Sequence, residues 1–221
     1  MKINDNAPDF TSNTTKGIIS FHAWIGTKWC VFVSHPKDFT PICTTELGLM
    51  AKIENEFAKR DVKFIGHSAD SVEEHIKWIE DIKTSQGVEP SFPIIGDESL
   101  AVSKLYEMLP EDAIAGDRSI AQNATVRAVF VIDPQKKIRA MTFYPMSAGR
   151  SFNEILRLVD SLQLYDKFHV ATPVNWEPGC PVLIPPYISD EEATKMFPQG
   201  WSTENPNGGE GKKYLRYVTK Y

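Results

Sequence analysis

The chain has 221 residues, three cysteines and a formal net charge of −5. That length suits one large domain, or one domain with an extension, with enough apolar residues for a sizeable core. The charges are interspersed, which argues against nucleic-acid binding. The sequence contains no run of about 18 apolar residues, so we expect no transmembrane helix. Widely spaced cysteines and the lack of an apolar signal region lead us to expect a cytoplasmic protein in a reducing compartment.

Apolar runs and helical periodicity alternate along most of the chain. The predicted strands cover 29–33, 62–66, 126–132 and 137–144, with a turn at 133–136. The predicted helices cover about 41–60 and 72–83, a short segment within 97–109, and 151–163. In the second of these helices, we expect four apolar side chains to face inward: Val72, Ile76, Ile79 and Ile82. This order of elements predicts an α/β fold, a three-layer sandwich.

The composition changes after Tyr165. Seven of the fifteen prolines and a glycine-rich stretch at 208–211 lie there, which predicts little regular structure. Several large apolar side chains in the same segment nevertheless need burial: Trp176, Leu183, Ile184, Tyr187, Phe197 and Trp201. We therefore expect a C-terminal arm that docks, and divide the chain into a domain at 1–165 and an extension at 166–221.

A reactive thiol is predicted at the start of the first long helix. Thr40 suits the N-cap and Pro41 the first helical position, so Cys43 falls in the first turn. Unpaired backbone N–H groups and the helix dipole favour a thiolate there. Ionisation alone accelerates a reaction little, so catalysis also needs a hydroxyl, which Thr40 can supply, and a cation from elsewhere. Cys30, inside the first strand, is expected to be a buried structural residue.

The string Pro36-x-x-x-Thr40-x-x-Cys43, followed by Glu46, resembles the active-site signature of the peroxiredoxins. The fuller segment 34–46, with His35 before the proline, is similar to the one-cysteine subgroup of that family. Further similar segments lie at 75–79, 92–94, 127–133, 144–150, 172–176 and 213–217. The resemblance therefore covers nearly the whole chain.

This resemblance implies a thioredoxin-like fold and the thiol-dependent reduction of hydrogen peroxide and organic hydroperoxides, with no cofactor and no metal. At matching positions it implies that Cys43 is the peroxidatic cysteine, which becomes a sulfenic acid. It also implies that Thr40 and Arg127 hydrogen-bond the peroxide oxygens, and that Arg127 stabilises the thiolate. Pro36 is expected to shield the sulfenate from water.

Three further residues are substrate-site candidates by the same resemblance. Glu46 is expected to orient an arginine, and Arg150, after Gly149, matches the family's second active-site arginine. His35, just before the signature proline, is the third. Simpler interpretations exist for two of them, because Glu46 would also complement the helix N-terminus and His35 would also suit a loop without catalytic duty.

Cys180 departs from the one-cysteine pattern, in which the arm lacks a resolving cysteine. Its Gly179-Cys180-Pro181 context weakly resembles two-cysteine relatives, but the surrounding arm is of the one-cysteine type. We therefore expect an external reductant, either a small thiol or other small molecule or a thioredoxin-like protein, and no Cys43–Cys180 bond. The resemblance implies that the arm packs across the partner in a homodimer, or in a ring of dimers; an arm folded back on its own domain is the alternative.

Other functions fit the sequence less well. Some one-cysteine relatives are described as phospholipases with a Ser, a His and an Asp. Here His22 is present, but Lys28 and Gln135 stand in place of the serine and the aspartate, which argues against that activity. A disulfide oxidoreductase needs a second thiol two residues from Cys43, and a zinc site needs paired ligand spacing. A thioredoxin-fold binding or holdase protein is the non-enzyme alternative, and it predicts that Cys43→Ala retains activity.

Overall fold

The computed structural model describes residues 1–111, 124–204 and 214–221. Its strands are β1 (Thr11–Thr14), β2 (Gly17–Ser20), β3 (Trp29–Ser34), β4 (Val62–Ser68), β5 (Ile94–Gly96), β6 (Arg127–Ile132), β7 (Ile138–Tyr144), β8 (Val182–Leu183), β9 (Ser202–Glu204) and β10 (Leu215–Val218). Its helices are α1 (Phe21–Ile25), α2 (Pro41–Ala58), α3 (Val72–Gln86), α4 (Ala101–Leu105), α5 (Phe152–Phe168) and α6 (Asp190–Met196). None of the helices in these ranges is both long and apolar enough to cross a membrane.

A mixed seven-stranded sheet organises the first of two compact units, Met1–Phe152, in the order β2-β1-β5-β4-β3-β6-β7. β3 lies parallel to β4 and antiparallel to β6, and all of its residues are buried. A strand with a continuous apolar run is typical of a sheet centre that is covered on both faces. The predicted α/β class is confirmed, and each predicted strand and helix is present with somewhat different ends.

An aromatic cluster packs beside the central strands. The rings of Phe32 and Tyr106 lie 4.9 Å apart and those of Tyr106 and Phe130 lie 5.3 Å apart, both edge to face. The Tyr106 hydroxyl donates to the Pro8 carbonyl at 2.7 Å, which satisfies its polar end. Cys30 belongs to this core, and burial raises the pKa of its thiol strongly. The prediction of a buried Cys30 is confirmed.

α3 begins and ends at clear capping residues, but one of its predicted core positions was wrong. The Ser71 side chain accepts from the Glu74 N–H, and Gly87 ends the helix at φ 73°. Ile76 is 52% exposed, and His75 is buried in its place. The buried face is formed by His75, Trp78, Ile79 and Ile82, which follow helical spacing, and position 76 lies about 100° away from position 75.

The second unit, Asn153–Tyr221, is more regular than expected. The prediction of little regular structure was wrong, because this unit contains α6 and a three-stranded sheet in the order β8-β10-β9. Ser189 and Glu192 form a capping box at the start of α6. The buried core of the unit consists of Val170, Trp176, Val182, Ile184, Ile188, Ala193, Phe197 and Val218. Tyr187, expected to be buried, is 67% exposed.

The two compact units divide at the start of α5, between Phe152 and Asn153. The predicted boundary lay after residue 165, so it assigned most of this helix to the first domain. Assignment of peroxidase chemistry to 1–165 and of docking to 166–221 stays a prediction.

Candidate active site

Cys43 lies in the first turn of α2, immediately after the loop that follows β3. Thr40 precedes the helix with an extended backbone, and Pro41 is its first residue. The Thr40 hydroxyl donates to the Lys37 carbonyl at 2.8 Å rather than capping the helix. The first-turn N–H groups are therefore not covered by this side chain, and they favour negative charge at the helix start.

Strand register brings Arg127 to the same place. β6 runs antiparallel to β3 with Val129 opposite Val33, so residue 127 lies beyond the carboxyl end of β3, where the chain turns toward α2. This pairing joins segments that lie far apart in the sequence. Arg127 Nη1 donates to the Cys43 sulfur at 3.3 Å.

The Arg127 guanidinium is fixed by three other hydrogen bonds. Nη1 also donates to Glu46 Oε2 at 2.9 Å, and Nε and Nη2 donate to the Met146 carbonyl at 3.0 and 2.7 Å. Arg127 is 3% exposed, so the cation cannot easily turn toward solvent. Its position beside the sulfur is therefore set before any substrate arrives.

Glu46 joins the two arginines. Its Oε1 accepts from the backbone N–H and Nε of Arg150 at 2.8 and 3.1 Å, and its Oε2 accepts from Arg150 Nη2 at 2.7 Å. Although burial opposes ionisation, hydrogen bonds and charge from Arg150 and the charge of Arg127 hold the pKa of Glu46 below its ordinary value. Glu46 is thus a buried carboxylate between two cations.

Arg150 contacts Glu46 and the backbone. Its Nη1 donates to the Ser34 and Ala128 carbonyls at 2.8 and 2.9 Å, which ties β3 to β6. In the part of the chain that the structure describes, no hydrogen bond joins Arg150 to Cys43. This geometry makes it a support for Glu46 rather than a direct neighbour of the sulfur.

Pro36 and His35 are both buried in the loop before α2. His35 Nε2 lies 2.7 Å from Asp38 Oδ1. Burial lowers the pKa of His35 despite the opposing effect of Asp38, so the ring is neutral and Nε2 carries the proton. Nothing among the described residues pairs with its Nδ1, which is left as a buried acceptor.

Two residues next to His35, Asp38 and His75, were not identified as site residues from the sequence. Asp38 Oδ2 lies 2.5 Å from His75 Nδ1, across two segments that local periodicity cannot connect. His35, Asp38 and His75 offer metal-ligand atoms within 4.8 Å of one another. Ligand atoms around a tetrahedral zinc ion would be about 3.3 Å apart. The separations of 2.5 and 2.7 Å are those of hydrogen bonds, so the geometry favours shared protons over a metal.

Cys43 is fully buried, but its surroundings are polar on one side. The sulfur faces a cationic donor at a helix N-terminus, the setting that stabilises a thiolate and a negatively charged oxygen formed beside it.

Comparison with known proteins identifies the family. Residues 3–141 match the model of the AhpC/TSA family, and residues 161–200 match the C-terminal domain of 1-Cys peroxiredoxin. The chain belongs to the peroxiredoxin family. Its one-cysteine subgroup, predicted from the sequence, is confirmed, as is its activity: it is a thiol-dependent peroxidase that reduces hydrogen peroxide and organic hydroperoxides through a cysteine sulfenic acid, with an antioxidant role.

Individual relatives are similar to this chain in sequence and structure over nearly their full length. This peroxiredoxin is 48% identical over 221 residues to peroxiredoxin-6 of Homo sapiens, covering 98% of this chain and 96% of that protein. A cysteine-to-serine mutant of peroxiredoxin 6 of Arenicola marina superposes with a TM-score of 0.91 at 41% identity, covering 99% and 98% of the two chains. A yeast mitochondrial 1-Cys peroxiredoxin gives a TM-score of 0.88 at 45% identity, covering 100% of both. These structures confirm the predicted thioredoxin-like fold.

Proposed function

We propose that Cys43 is the peroxidatic cysteine of this peroxidase, with Arg127 as the cation that assists it. The observation that carries this proposal is the hydrogen bond from Arg127 Nη1 to the Cys43 sulfur at 3.3 Å. In the reaction, the thiolate attacks one peroxide oxygen, an S–O bond forms and the O–O bond breaks. The sulfur is oxidised to a sulfenic acid, and the departing oxygen takes a proton and leaves as water or an alcohol. Arg127 stabilises the charge as it moves from sulfur to that oxygen.

Thr40 is proposed to orient the peroxide as an acceptor. Because its hydroxyl proton is directed to the Lys37 carbonyl, the Thr40 oxygen is available to accept a hydrogen bond from the O–H of the peroxide. Arg127 then supplies donors and Thr40 supplies an acceptor, so the two residues recognise different oxygens of one substrate. The two contacts together are proposed to hold the O–O bond in line with the sulfur.

The remaining site residues are proposed to act around this pair. Pro36, buried in the same loop, shields the sulfenate from water, and the free Nδ1 of His35 accepts from substrate or from the sulfenic acid. Glu46 fixes Arg127, and Arg150 fixes Glu46. Arg150 therefore contributes to substrate binding through Glu46.

Assignment of the peroxidatic cysteine is tested by mapping oxidation. One equivalent of hydrogen peroxide should add one oxygen atom to Cys43 and leave Cys30 and Cys180 unmodified in a peptide mass map. Cys43→Ser should abolish peroxide turnover, while the matched controls Cys30→Ala and Cys180→Ser should retain it. Turnover by Cys43→Ser, or first oxidation at another cysteine, would refute the assignment. A binding or holdase protein would keep its activity in Cys43→Ala.

An external thiol is proposed as the reductant. One thiol forms a mixed disulfide with the sulfenic acid and releases water, and a second thiol then frees Cys43. The yeast mitochondrial 1-Cys peroxiredoxin resolves its thiol via glutathione and thioredoxin systems, so both classes are candidates here. Cys180 is exposed and is not proposed to resolve Cys43. A peroxide-induced disulfide on a non-reducing gel that disappears in Cys180→Ser would overturn this.

The C-terminal extension is proposed to dock across a partner in a homodimer or a ring of dimers. Support comes from apolar and aromatic side chains of the second unit that are exposed to solvent: Val174 is 88% exposed and Tyr187 is 67% exposed. A cytoplasmic location is proposed as well, although one relative is mitochondrial. Sedimentation should give at least the dimer mass, and Tyr187→Asp should shift it toward the monomer. A monomeric wild type would exclude this arrangement.

A further inference from the structure

Asp38 is a buried carboxylate held by groups from separate parts of the fold. Its side chain contacts His35 at 2.7 Å within the same loop and His75 of α3 at 2.5 Å. Its backbone N–H donates to Asp70 Oδ2 at 2.9 Å, just before α3. Asp38 therefore fixes the loop at 35–40 to the start of α3 through both its side chain and its backbone.

The second ring nitrogen of His75 determines its protonation. His75 Nε2 lies 3.0 Å from the Ile95 carbonyl, which can only accept, so Nε2 carries a proton. His75 Nδ1 faces the Asp38 carboxylate, and a proton there makes the ring an imidazolium. The pKa of Asp38 agrees, because hydrogen bonds from His35 and His75 outweigh burial and lower it to about 2.

The loop held by Asp38 contains a strained residue next to the proposed substrate acceptor. Phe39 has φ 54°, a left-handed conformation that is unusual for a bulky side chain. Such conformations persist where surrounding contacts enforce them. Phe39 lies between Asp38 and Thr40, so loss of the Asp38 contact would let the backbone relax and displace the Thr40 hydroxyl.

We propose that the buried pair of Asp38 and His75 fixes the loop at 35–40, which makes His75 a positioning residue for peroxide reduction. This inference rests on the proposed roles of Cys43 and Thr40. His75 does not touch substrate in this arrangement; it acts on Thr40 through Asp38. A displacement of about 1 Å in a reacting geometry can cost on the order of 100-fold in rate.

Two uncharged substitutions of His75 each keep one of its two hydrogen bonds and remove the other. In His75→Asn the amide nitrogen replaces Nδ1 and keeps the contact with Asp38, whereas in His75→Gln it replaces Nε2 and keeps the contact with the Ile95 carbonyl. We expect His75→Gln to lower the second-order rate of Cys43 oxidation by roughly 10- to 100-fold. His75→Asn should stay within about threefold of wild type, since the pair with Asp38 is the one that positions the loop. Stopped-flow measurement gives the rates, and thermal unfolding confirms that each variant is folded.

Rates equal to wild type in both folded variants, or equal losses in both, would overturn the inference. If His75→Gln does not fold, Asp38→Asn supplies the same test, with a similar loss expected and an unchanged rate contradicting the proposal. Failure of the proposed function is distinct, because it would appear as oxidation of another cysteine in the wild-type protein. A loss of stability without a loss of rate would assign His75 to the fold alone.

The pH profile gives an independent readout. Burial opposes the charge of His75, but Asp38, the Ile95 carbonyl and Asp70 outweigh it and raise the pKa of His75. The other ionisable groups facing it, His35 and His67, are buried and have lowered pKa values. The pair therefore exists at low pH and is lost as pH rises through the raised pKa of His75. We expect wild type to lose rate at alkaline pH in a step that His75→Asn lacks; an identical profile would contradict the proposal.

Discussion

Glu46→Gln tests the carboxylate that joins the two site arginines. Glu46 accepts four hydrogen bonds, from Arg127 Nη1 and from the backbone N–H, Nε and Nη2 of Arg150. In either orientation, the glutamine NH₂ would face arginine donors, and both guanidiniums would lose their buried counter-charge. Breaking a buried pair in this way costs about 3–5 kcal/mol. For a chain of this size, that loss corresponds to a fall of roughly 6–20 °C in Tm.

Thermal unfolding of Glu46→Gln should be compared with that of Glu56→Gln. Glu56 lies on the same helix, but its side chain is 42% exposed and its partners Lys59 and Arg60 are 67% and 23% exposed, so we expect the Tm of this variant to stay close to that of wild type. Glu46→Gln should also slow peroxide reduction, because Arg127 loses the anchor that holds it against Cys43. The difference in stability between wild type and Glu46→Gln should become smaller in acid. The pKa of Glu46 in the folded protein is below its ordinary 4.5, so the ionised carboxylate contributes its full stabilisation above pH 4.5. That stabilisation is lost as the pH falls through the folded pKa. Equal Tm values at neutral pH would refute this account.

Three further predictions concern residues near the site. Gly48→Ala places a Cβ 2.5 Å from Gln86 Cγ and 2.7 Å from Gln86 Cβ, and should lower the unfolding free energy by about 1–3 kcal/mol in denaturant titrations. Cys30 should stay reduced under excess peroxide in a peptide mass map, since burial raises its pKa; its oxidation in folded protein would contradict this. The Asp38 carboxyl should titrate by NMR near its pKa of about 2, and a midpoint near the ordinary 3.8 would show that the pair with His75 is absent.

Local pattern was sufficient for the start of α2. Thr40 and Pro41 are suited to a helix start, and this alone placed Cys43 in the first turn, as the structure has it. The position of Arg127 depended instead on family resemblance, because the pairing of β6 with β3 is a long-range contact that spacing does not reveal. Sequence reasoning therefore placed the proposed nucleophile from local chemistry, and its proposed cation only by analogy.

The network around Asp38 was not predictable in the same way. Helical periodicity favoured Ile76 as a core residue, but the face of α3 is rotated so that His75 is buried. A buried histidine at such a position needs polar partners, and these come from a loop 37 residues earlier and from the carbonyl of β5. Only the folded chain brings these segments together.

The second unit was misjudged because proline content was given too much weight. Several prolines there lie next to short helices and strands, and the Ser189 capping box stabilises a helix of only seven residues. Arg216 is 4% exposed and donates to the Pro185 and Ile188 carbonyls at 2.7 Å each, which satisfies backbone groups that a loop would otherwise bury unpaired. Capping and side-chain donors of this kind carry little periodic signal.

Charge balance explains why this arrangement suits the proposed reaction. The cluster contains two guanidiniums, Arg127 and Arg150, and one carboxylate, Glu46, so it carries one excess positive charge. A negative charge on the reacting Cys43 sulfur, or on the oxygen that departs from it, would offset that excess. When the sulfur bonds to one peroxide oxygen, its negative charge passes to the departing oxygen. The excess positive charge of the arginine cluster then lies beside that oxygen. The same positive charge that faces the sulfur before the reaction therefore stabilises the leaving group during it, and because Arg127 is already fixed, little reorganisation is needed.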